Sequence, residues 1–248
     1  MPRFIPSQRP RATAVTAAIL AGGLGTRLRS VVADRPKALA PVAGRPFVAH
    51  LLDFLNAAGL ARVVLLTGFR GEQVKSALGD RYGRLTLTYS QEPSPLGTGG
   101  ALRAAFHHFD SEMILLLNGD SYCRVDLRAL VAFHRNLQAG LTLSLVHADD
   151  ASRFGRVIAS PNGRIDAFAE KEAGCRPGWI NAGVYLLQRS LVEETPTGGP
   201  MSLERDLLPK WIEQGVVYGR RAEGPFMDIG TPESYAAADH FLAELAAA

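Results

Sequence analysis

Near the N-terminus, a glycine-rich loop and two cationic side chains have the residue types and spacing needed to hold a polyphosphate. The apolar run Val15–Leu20 predicts a buried strand, and the glycine-rich segment 22–25 follows it. Glycine lets backbone amides approach phosphate oxygens without interference from a Cβ atom. Arg27 and Lys37 then supply a bidentate guanidinium and a point-charge ammonium. The pattern predicts a binding site for a nucleoside triphosphate.

Two other phosphate-binding motifs fit this segment badly. A Walker A loop requires a lysine directly after its last glycine, and no glycine of this segment is followed by lysine. A dinucleotide fingerprint that starts at Gly23 needs a third small residue where Leu28 stands. A turn that only joins a strand to a helix would explain the glycines, but it would not explain Arg27 and Lys37.

Segments 20–28 (LAGGLGTRL) and 35–46 (RPKALAPVAGRP) together resemble the signature of the sugar nucleotidyltransferases. Enzymes of this family join a sugar 1-phosphate to a nucleoside triphosphate and release pyrophosphate. Ala38 stands where family patterns often have a second proline, and segment 30–32 (SVV) replaces a Pro-Leu-Thr run. At these positions the sequence resembles the heptose 1-phosphate branch of the family more than the glucose 1-phosphate branch. The resemblance covers about residues 15–245.

The elements expected to position these groups alternate between strands and helices. Apolar spacing predicts strands over 62–67, 85–89, 112–117 and 141–146, and helices over 46–58, 72–78, after Thr98 and over 126–138. This alternation predicts an α/β fold whose mainly parallel central sheet is covered on both faces. The resemblance implies the same, a Rossmann-like three-layer nucleotidyltransferase fold.

The alternation changes after the strand at 141–146. Segments 156–160 and 164–168 flank Asn162-Gly163, which predicts a hairpin, and a further strand is expected over 180–187. Ser202 is a candidate N-cap of one helix, and Pro232 is expected at the first position of the last one. We therefore expect a small antiparallel insertion on the sheet. It would belong to a single catalytic domain, residues 14–248, preceded by a flexible extension, residues 1–13.

Two aspartates are the candidate ligands of a divalent metal ion. Joining two polyanions requires neutralisation of charge, and Mg²⁺ on carboxylate oxygens is suited to that task. Asp120 follows the predicted strand 112–117, at the end where open α/β sheets bind ligands. By resemblance, Asp120 and Asp228 are the family's two metal aspartates, and Arg27, Lys37 and Asp120 are catalytic. A turn-forming role would also suit each aspartate taken alone.

The nucleotide is expected to contact the first glycine loop and a second loop, 91–100. In the second loop, Gln91 or Glu92 is placed to hydrogen-bond to the edge of a base, and an acceptor carboxylate at Glu92 suits the donors of guanine. A loop that leads into a helix capped by Thr98 explains these residues nearly as well. The expected nucleotide-binding set is Leu20, Ala21, Gly22, Gly23, Gly25, Thr26, Gln91, Glu92, Gly97 and Thr98.

Three further segments resemble the sugar phosphate side of the family. The resemblance implies that Glu170 binds sugar hydroxyls, that Lys171 binds the sugar phosphate, and that Gly155, Asn181 and Gly183 line the pocket. By residue type alone, Glu170 and Lys171 would be read as a solvated ion pair.

Composition excludes several other classes of function. The 248 residues are 47% hydrophobic and 21% charged, with a net charge of +3, and contain no apolar run near the roughly 20 residues of a membrane span. Neither nucleic acid nor membrane is implied as a partner. The six histidines lack metal-site spacing, and Ser121 lacks a nucleophile elbow. Two cysteines make no disulfide framework, which favours a cytoplasmic protein.

The sequence thus predicts a sugar 1-phosphate nucleotidyltransferase that uses Mg²⁺. The resemblance favours GTP and D-glycero-α-D-manno-heptose 1-phosphate as substrates. The alternatives are a mannose 1-phosphate guanylyltransferase and a uridylyltransferase for glucose 1-phosphate or N-acetylmuramate 1-phosphate. A nucleotide-sugar sensor or regulatory subunit that keeps the fold without the reaction is the non-enzyme alternative. Assembly into a homo-oligomer is compatible with the sequence, which does not specify it.

Overall fold

The predicted strands and helices are present in the computed structural model, which describes residues 15–23, 25–28, 30–32, 34–170 and 177–247. The strands are β1 (Val15–Leu20), β2 (Pro41–Val42), β3 (Arg45–Pro46), β4 (Arg62–Thr67), β5 (Arg81–Tyr82), β6 (Leu85–Gln91), β7 (Met113–Asn118), β8 (Ser121–Cys123), β9 (Leu141–Ala148), β10 (Gly155–Ala159), β11 (Ile165–Glu170), β12 (Gly178–Gln188), β13 (Val217–Arg221) and β14 (Phe226–Asp228). The helices are α1 (Phe47–Ala57), α2 (Gly71–Leu78), α3 (Gly97–Ala104), α4 (Leu127–Asn136), α5 (Arg189–Glu193), α6 (Leu208–Glu213), α7 (Pro232–Ala236) and α8 (Ala238–Ala247). The flexible extension predicted for residues 1–13 lies outside the described residues.

One ten-stranded sheet runs through the protein. In its first half, β1 lies between β4 and β7, and β6 continues beyond β4, with all these pairs parallel. In its second half, β12 pairs antiparallel with β7 and β9, and the hairpin β10–β11 lies against β12. The predicted antiparallel insertion therefore continues the parallel sheet through β12.

Both faces of the sheet are covered, as the sequence predicts. Along β1, Ile19 belongs to the apolar cluster on one face and Ala18 to the cluster on the other, and both are fully buried. Leu51 of α1 packs into the first cluster and Leu102 of α3 into the second. The layers are therefore helix, sheet and helix, which confirms the predicted fold class. They also explain why β1 is apolar at every position except Thr16.

The predicted ends of two helices are confirmed by side-chain caps. Thr231 and Ser234 form a reciprocal capping box, with Pro232 at the start of α7. Ser202 accepts a hydrogen bond from the backbone N–H of Arg205, as expected for an N-cap. The turn that follows Ser202 is, however, a π-helix, Leu203–Leu207, which leads into α6. Sequence spacing did not indicate this widened turn.

Two short strands that the sequence analysis missed decide the geometry of the site. β14 pairs antiparallel with β8, so that Asp228 lies opposite Ser121. Each strand is only three residues long, too short for an alternating pattern to be recognised. Their pairing brings the segment around Asp228 back to the end of β7.

Candidate active site

Asp120 is positioned by the close approach of β7 to β1. Between β7 and β8, the backbone N–H of Gly119 donates to the carbonyl oxygen of Leu20 at 3.0 Å. A Cβ atom on Gly119 would overlap that carbonyl oxygen. Glycine is therefore required here, and it places the Asp120 carboxylate next to the glycine loop that follows β1.

Lys37 is the direct partner of Asp120. Its ammonium donates to Asp120 Oδ2 at 2.7 Å, and the Lys37 side chain is only 13% exposed. Burial alone raises the pKa of Asp120, but the charge and hydrogen bond of Lys37 outweigh it, with smaller help from Ser121 and Arg27. The pKa of Asp120 therefore lies below its ordinary value. The carboxylate is ionised and faces a cavity.

Asp228 reaches the same cavity through the β8–β14 pair. The backbone N–H of Ile229 donates to the carbonyl oxygen of Asp120 at 2.9 Å, which fixes the two segments together. The Asp228 carboxylate accepts hydrogen bonds from Arg153 Nη2 at 3.1 and 3.2 Å and from the Gly230 N–H at 2.7 Å. The structure thus brings the two predicted metal aspartates to one cavity wall.

The two carboxylates fit the donor set that Mg²⁺ takes from a protein. Magnesium usually binds one or two carboxylates and completes its shell with water and substrate phosphates. Within the described residues there is no group of three or more His, Cys, Asp or Glu residues that would hold a metal by itself. Asp120 and Asp228 would therefore need phosphate oxygens of a substrate to complete the site.

Most of the predicted nucleotide-binding residues surround a cavity of about 290 Å³ at the carboxyl ends of the parallel strands. The predicted residues that line it are Leu20, Ala21, Gly22, Gly23, Lys37, Glu92, Gly97, Thr98 and Asp120. Gly97 has a φ of +71°, and a Cβ atom there would lie 2.5 Å from the carbonyl oxygen of Met201. The loop that opens α3 is therefore pressed against the segment before the π-helix.

Gly25 and Gln91 are not among the residues that line this cavity, and the side chain of Thr26 lies outside the described part of the structure. Gly25 packs against the side chain of Lys37, since a Cβ atom on it would lie 3.2 Å from Lys37 Cβ. Thr26 begins a short 3₁₀ helix, Thr26–Leu28. Gln91 lines an adjacent cavity of about 550 Å³, which shares Gly22 and Glu92 with the first.

Glu92 lies at the boundary between these two cavities. Its Oε2 accepts a hydrogen bond from the backbone N–H of Leu96 at 2.9 Å. Its Oε1 lies against backbone, because Cβ atoms on Gly22 and Gly68 would come within 3.2 and 2.5 Å of it. Burial raises the pKa of Glu92, and the hydrogen bond from Leu96 opposes this rise. The side chain offers acceptor oxygens on the wall of the nucleotide cavity, which Asp120 also lines.

A separate cavity of about 400 Å³ lies beside the antiparallel strands, and we call it the second cavity. The nucleotide cavity of about 290 Å³ is the first cavity. The second cavity is lined by the predicted residues Arg27, Asp120, Gly155, Asn181 and Asp228. The first cavity and this one share wall residues, namely Gly97, Thr98, Asn118, Asp120 and Glu204. The two cavities therefore meet at the Lys37–Asp120 pair.

Three predicted sugar-side residues remain, namely Gly183, Glu170 and Lys171. Gly183 does not line the cavity but supports it, because its φ is +72° and a Cβ atom on it would lie 2.8 Å from Asn118 Nδ2. Glu170 ends β11. Neither the Glu170 side chain nor Lys171 lies within the described part of the chain.

Sequence reasoning missed several side chains that line the second cavity, among them Asn118, Arg153, Tyr185, Ser202 and Glu204. Asn118 and Tyr185 each stand two residues from a predicted site residue, Asp120 and Gly183 respectively, so their neighbours gave a signal. The amide oxygen of Asn118 is buried and has no hydrogen-bond partner among the described residues. A buried acceptor of this kind is suited to receive a hydrogen bond from a ligand. Glu204 gave no signal, because it lay within a predicted helix.

A three-layer α/β fold with a glycine-lined cavity at the carboxyl ends of its parallel strands is typical of a nucleotide-binding enzyme. Comparison of the sequence with known families identifies the class. Residues 16–244 match the family described as nucleotidyl transferase, and the chain belongs to that family. It is therefore a transferase enzyme, as the sequence predicts, which sets aside the sensor alternative. No helix in the described ranges is both long enough and apolar enough to cross a membrane.

Individual relatives narrow the comparison further. Over 219 residues the chain is 39% identical to a D-glycero-alpha-D-manno-heptose 1-phosphate guanylyltransferase of Aneurinibacillus thermoaerophilus, covering 88% of this chain and 94% of that protein. It is 36% identical over 224 residues to a mannose-1-phosphate guanylyltransferase of Mycobacterium tuberculosis, covering 89% of this chain. Of that relative's own length, the match spans only 62%.

A solved structure shows the same fold. The crystal structure of HddC from Yersinia pseudotuberculosis superposes with a TM-score of 0.82 at 32% sequence identity, covering 92% of this chain and 99% of that one. A second structure of HddC, complexed with GMP-PN, superposes with a TM-score of 0.81. That neighbour binds a guanine nucleotide analogue on this fold.

Proposed function

We propose that this protein transfers a guanylyl group from GTP to a sugar 1-phosphate and releases pyrophosphate. The observation that carries the proposal is the meeting of two cavities at the Lys37–Asp120 pair. A triphosphate in the first cavity and a sugar phosphate in the second would bring their phosphates together there. Each cavity would hold one substrate, and the reacting atoms would lie at the boundary.

The chemistry is an in-line displacement at phosphorus. An oxygen of the sugar phosphate attacks the α-phosphorus and forms the new P–O bond, while the bond from that phosphorus to the pyrophosphate oxygen breaks. Positive charge near the transferred group stabilises the negative charge on its oxygens and on the leaving pyrophosphate. Lys37 and Arg27 would supply that charge, and Lys37 is held in place by its ion pair with Asp120.

We infer that Asp120 and Asp228 hold Mg²⁺ when both substrates are bound. The metal would neutralise phosphate oxygens and help to orient them. Arg153 keeps the Asp228 carboxylate in place through its hydrogen bonds. Gly230 does the same from the backbone, so the carboxylate is oriented before a ligand arrives.

The choice of guanine is proposed from Glu92. The Watson–Crick edge of guanine carries two neighbouring N–H donors, which match the acceptor oxygens of a carboxylate. Glu92 places such oxygens on the wall of the nucleotide cavity, which Asp120 also lines. The guanylyltransferase names of the relatives and the nucleotide in the HddC complex support the same base.

For the sugar, we propose D-glycero-α-D-manno-heptose 1-phosphate. The support is the 39% identity to a heptose 1-phosphate guanylyltransferase, which the match covers almost entirely. Mannose 1-phosphate is the second candidate, because a relative named for that sugar is 36% identical.

Pyrophosphate release in the presence of Mg²⁺ tests the proposal. Each of GTP, UTP, CTP, ATP and dTTP is paired with heptose, mannose, glucose and N-acetylmuramate 1-phosphates. We expect turnover with GTP and the heptose phosphate. Turnover with GTP and mannose 1-phosphate would replace the sugar, and turnover only with UTP would contradict the role of Glu92. No release with any pair would contradict the proposed reaction.

A further inference from the structure

Glu204 is half-buried and is the one acidic side chain, among the described residues, that lines both cavities and lies outside the Lys37–Asp120 pair. Its Oε2 accepts hydrogen bonds from the hydroxyls of Thr98 at 2.8 Å and Ser202 at 3.2 Å. Its Oε1 accepts from the hydroxyl of Tyr185 at 3.0 Å. The carboxylate thus joins a residue of the nucleotide loop to a residue of the second cavity.

The links on either side of Glu204 extend into both cavities. The Thr98 hydroxyl also accepts a hydrogen bond from the backbone N–H of Leu203 at 2.7 Å, so the start of α3 is bound to the π-helix. On the other side, Asn181 Nδ2 donates to the Tyr185 hydroxyl at 2.7 Å. A continuous series of hydrogen bonds therefore runs from Thr98 through Glu204 and Tyr185 to Asn181.

The local fold allows all the links of this series to form at once. Glu204 lies in the first turn of the π-helix, and such turns are frequent at functional sites. A Cβ atom on Gly99 would lie 2.8 Å from Leu207, so α3 and the π-helix are in close contact. Burial, and then the charge of Glu204, raise the pKa of Tyr185 well above its ordinary value. Tyr185 therefore keeps its proton and remains a donor to Glu204.

We propose that Glu204 is a positioning residue that couples the two substrate sites, so that binding of either substrate strengthens binding of the other. The proposal rests on the function proposed above. Three separate hydroxyls must be ordered before the carboxylate has a single orientation, and ordering each has an entropic cost. A nucleotide that fixes Thr98 would also fix Glu204 and Tyr185, so the sugar phosphate would bind a site that is already ordered.

A binding cycle tests this coupling without turnover. The probes are a GTP analogue with a methylene group between the α- and β-phosphorus atoms, and the sugar 1-phosphate that supports turnover, both titrated calorimetrically with Mg²⁺. For the wild-type protein we expect the sugar phosphate to tighten binding of the analogue by about 5-fold or more, the lower range of typical coupling. In Glu204→Gln we expect each ligand alone to bind within about threefold of wild type and the coupling to fall below twofold, since a lost coupling approaches unity.

The matched control is Glu213→Gln, the same chemical change at an exposed position of α6. It should keep the full coupling. Coupling of wild-type strength in Glu204→Gln would overturn the proposal, as would absence of coupling in the wild-type protein. A loss of affinity for both ligands with the coupling unchanged would show a purely structural role and would also overturn it.

A second set of variants covers the case in which Glu204→Gln fails to fold. Thr98→Val and Tyr185→Phe each remove one link of the series, and each should reduce the coupling. The double variant should lose no more than the larger single loss, because both links act through Glu204. Thr98→Ser restores a hydroxyl and should restore coupling, and additive losses would contradict the series. If another nucleotide supports turnover in place of GTP, the binding cycle is run with the methylene analogue of that nucleotide. An incorrect base assignment therefore leaves the coupling testable.

Discussion

The cavity at the parallel strands and the cavity at the antiparallel strands differ in what forms their walls. On the parallel side, glycines bring backbone against backbone, as at Gly119 after β7 and at Gly97, the first residue of α3. On the antiparallel side, long side chains such as Arg153, Tyr185 and Glu204 form the wall. Phosphates of every nucleotide are alike, so a backbone wall is sufficient for them. Sugars differ in their hydroxyls, and a wall of side chains can be altered by substitution without a change of fold.

The largest expected effect is at the boundary between the two sides. Asp120→Asn removes the charge that orients Lys37 and that would hold Mg²⁺. We expect turnover to fall by on the order of 10³-fold or more, with the fold preserved. Steady-state kinetics and circular dichroism measure the two properties. Asp149→Asn, at an exposed position, is the matched control. Undiminished turnover in Asp120→Asn would remove Asp120 from the mechanism.

The next effect concerns backbone contact on the parallel side. Gly119→Ala would press a methyl group against the Leu20 carbonyl oxygen, and we expect a loss of about 2–3 kcal/mol in the free energy of unfolding. Gly155→Ala would meet only the tip of the Phe168 ring, which can turn aside, so a loss below about 1 kcal/mol is expected. Urea unfolding compares the two variants. Gly23→Ala, with no atom within 4 Å of the new Cβ, is the control. Equal losses in the free energy of unfolding for Gly119→Ala and Gly155→Ala would contradict the difference between the two cavity walls.

A smaller effect tests base selection. In Glu92→Gln, one acceptor oxygen is replaced by a donor, which opposes the N–H groups of guanine. We expect kcat/KM for GTP to fall by about 10- to 100-fold, the value of a hydrogen bond to a charged group, with little change for UTP. Competition between the two nucleotides measures the selectivity. Glu72→Gln on the exposed surface of α2 should behave as wild type. An unchanged GTP preference in Glu92→Gln would place base selection elsewhere.

The smallest effect concerns the stability of the antiparallel side in acid. His134 of α4 is fully buried against β9. Its Nδ1 atom and the hydroxyl of Thr142 form a hydrogen bond of 2.8 Å. Burial, with the nearby charge of Arg135, lowers the pKa of His134 to about 4. Below about pH 6.5 this histidine binds a proton in the unfolded chain, whereas in the folded protein it stays neutral down to about pH 4. The free energy of unfolding therefore falls as the pH is lowered from about 6.5 towards 4.

Between pH 7 and pH 5 this histidine should account for about 1–2 kcal/mol of the loss in the free energy of unfolding. Urea unfolding at the two pH values measures it, and His134→Asn should flatten the dependence. His240→Asn, at an exposed position of α8, should leave it unchanged. The same pH dependence in His134→Asn would assign acid sensitivity to other groups.

Where a short segment was sufficient, the sequence indicated where the candidate residues lie. The glycine loop after β1, Asp120 at the end of β7 and the Asn-Gly hairpin turn were all recognised from adjacent residues. Spacing and turn chemistry act over a few residues, so local sequence carries them. The placement of Glu204 was not predicted, because a π-helix has no sequence signature distinct from an α-helix.

By itself, the sequence predicted the longer strands and the helices in their order, a loop that suits phosphates and, through the family resemblance, two aspartates as candidate metal ligands. Only the tertiary structure decided that Asp228 lies beside Asp120, that Arg153 holds Asp228, and that Glu204 joins both cavities. These contacts join segments far apart in the chain. Their geometry depends on packing of the whole sheet and of the short β8–β14 pair, and no local pattern of residues specifies it.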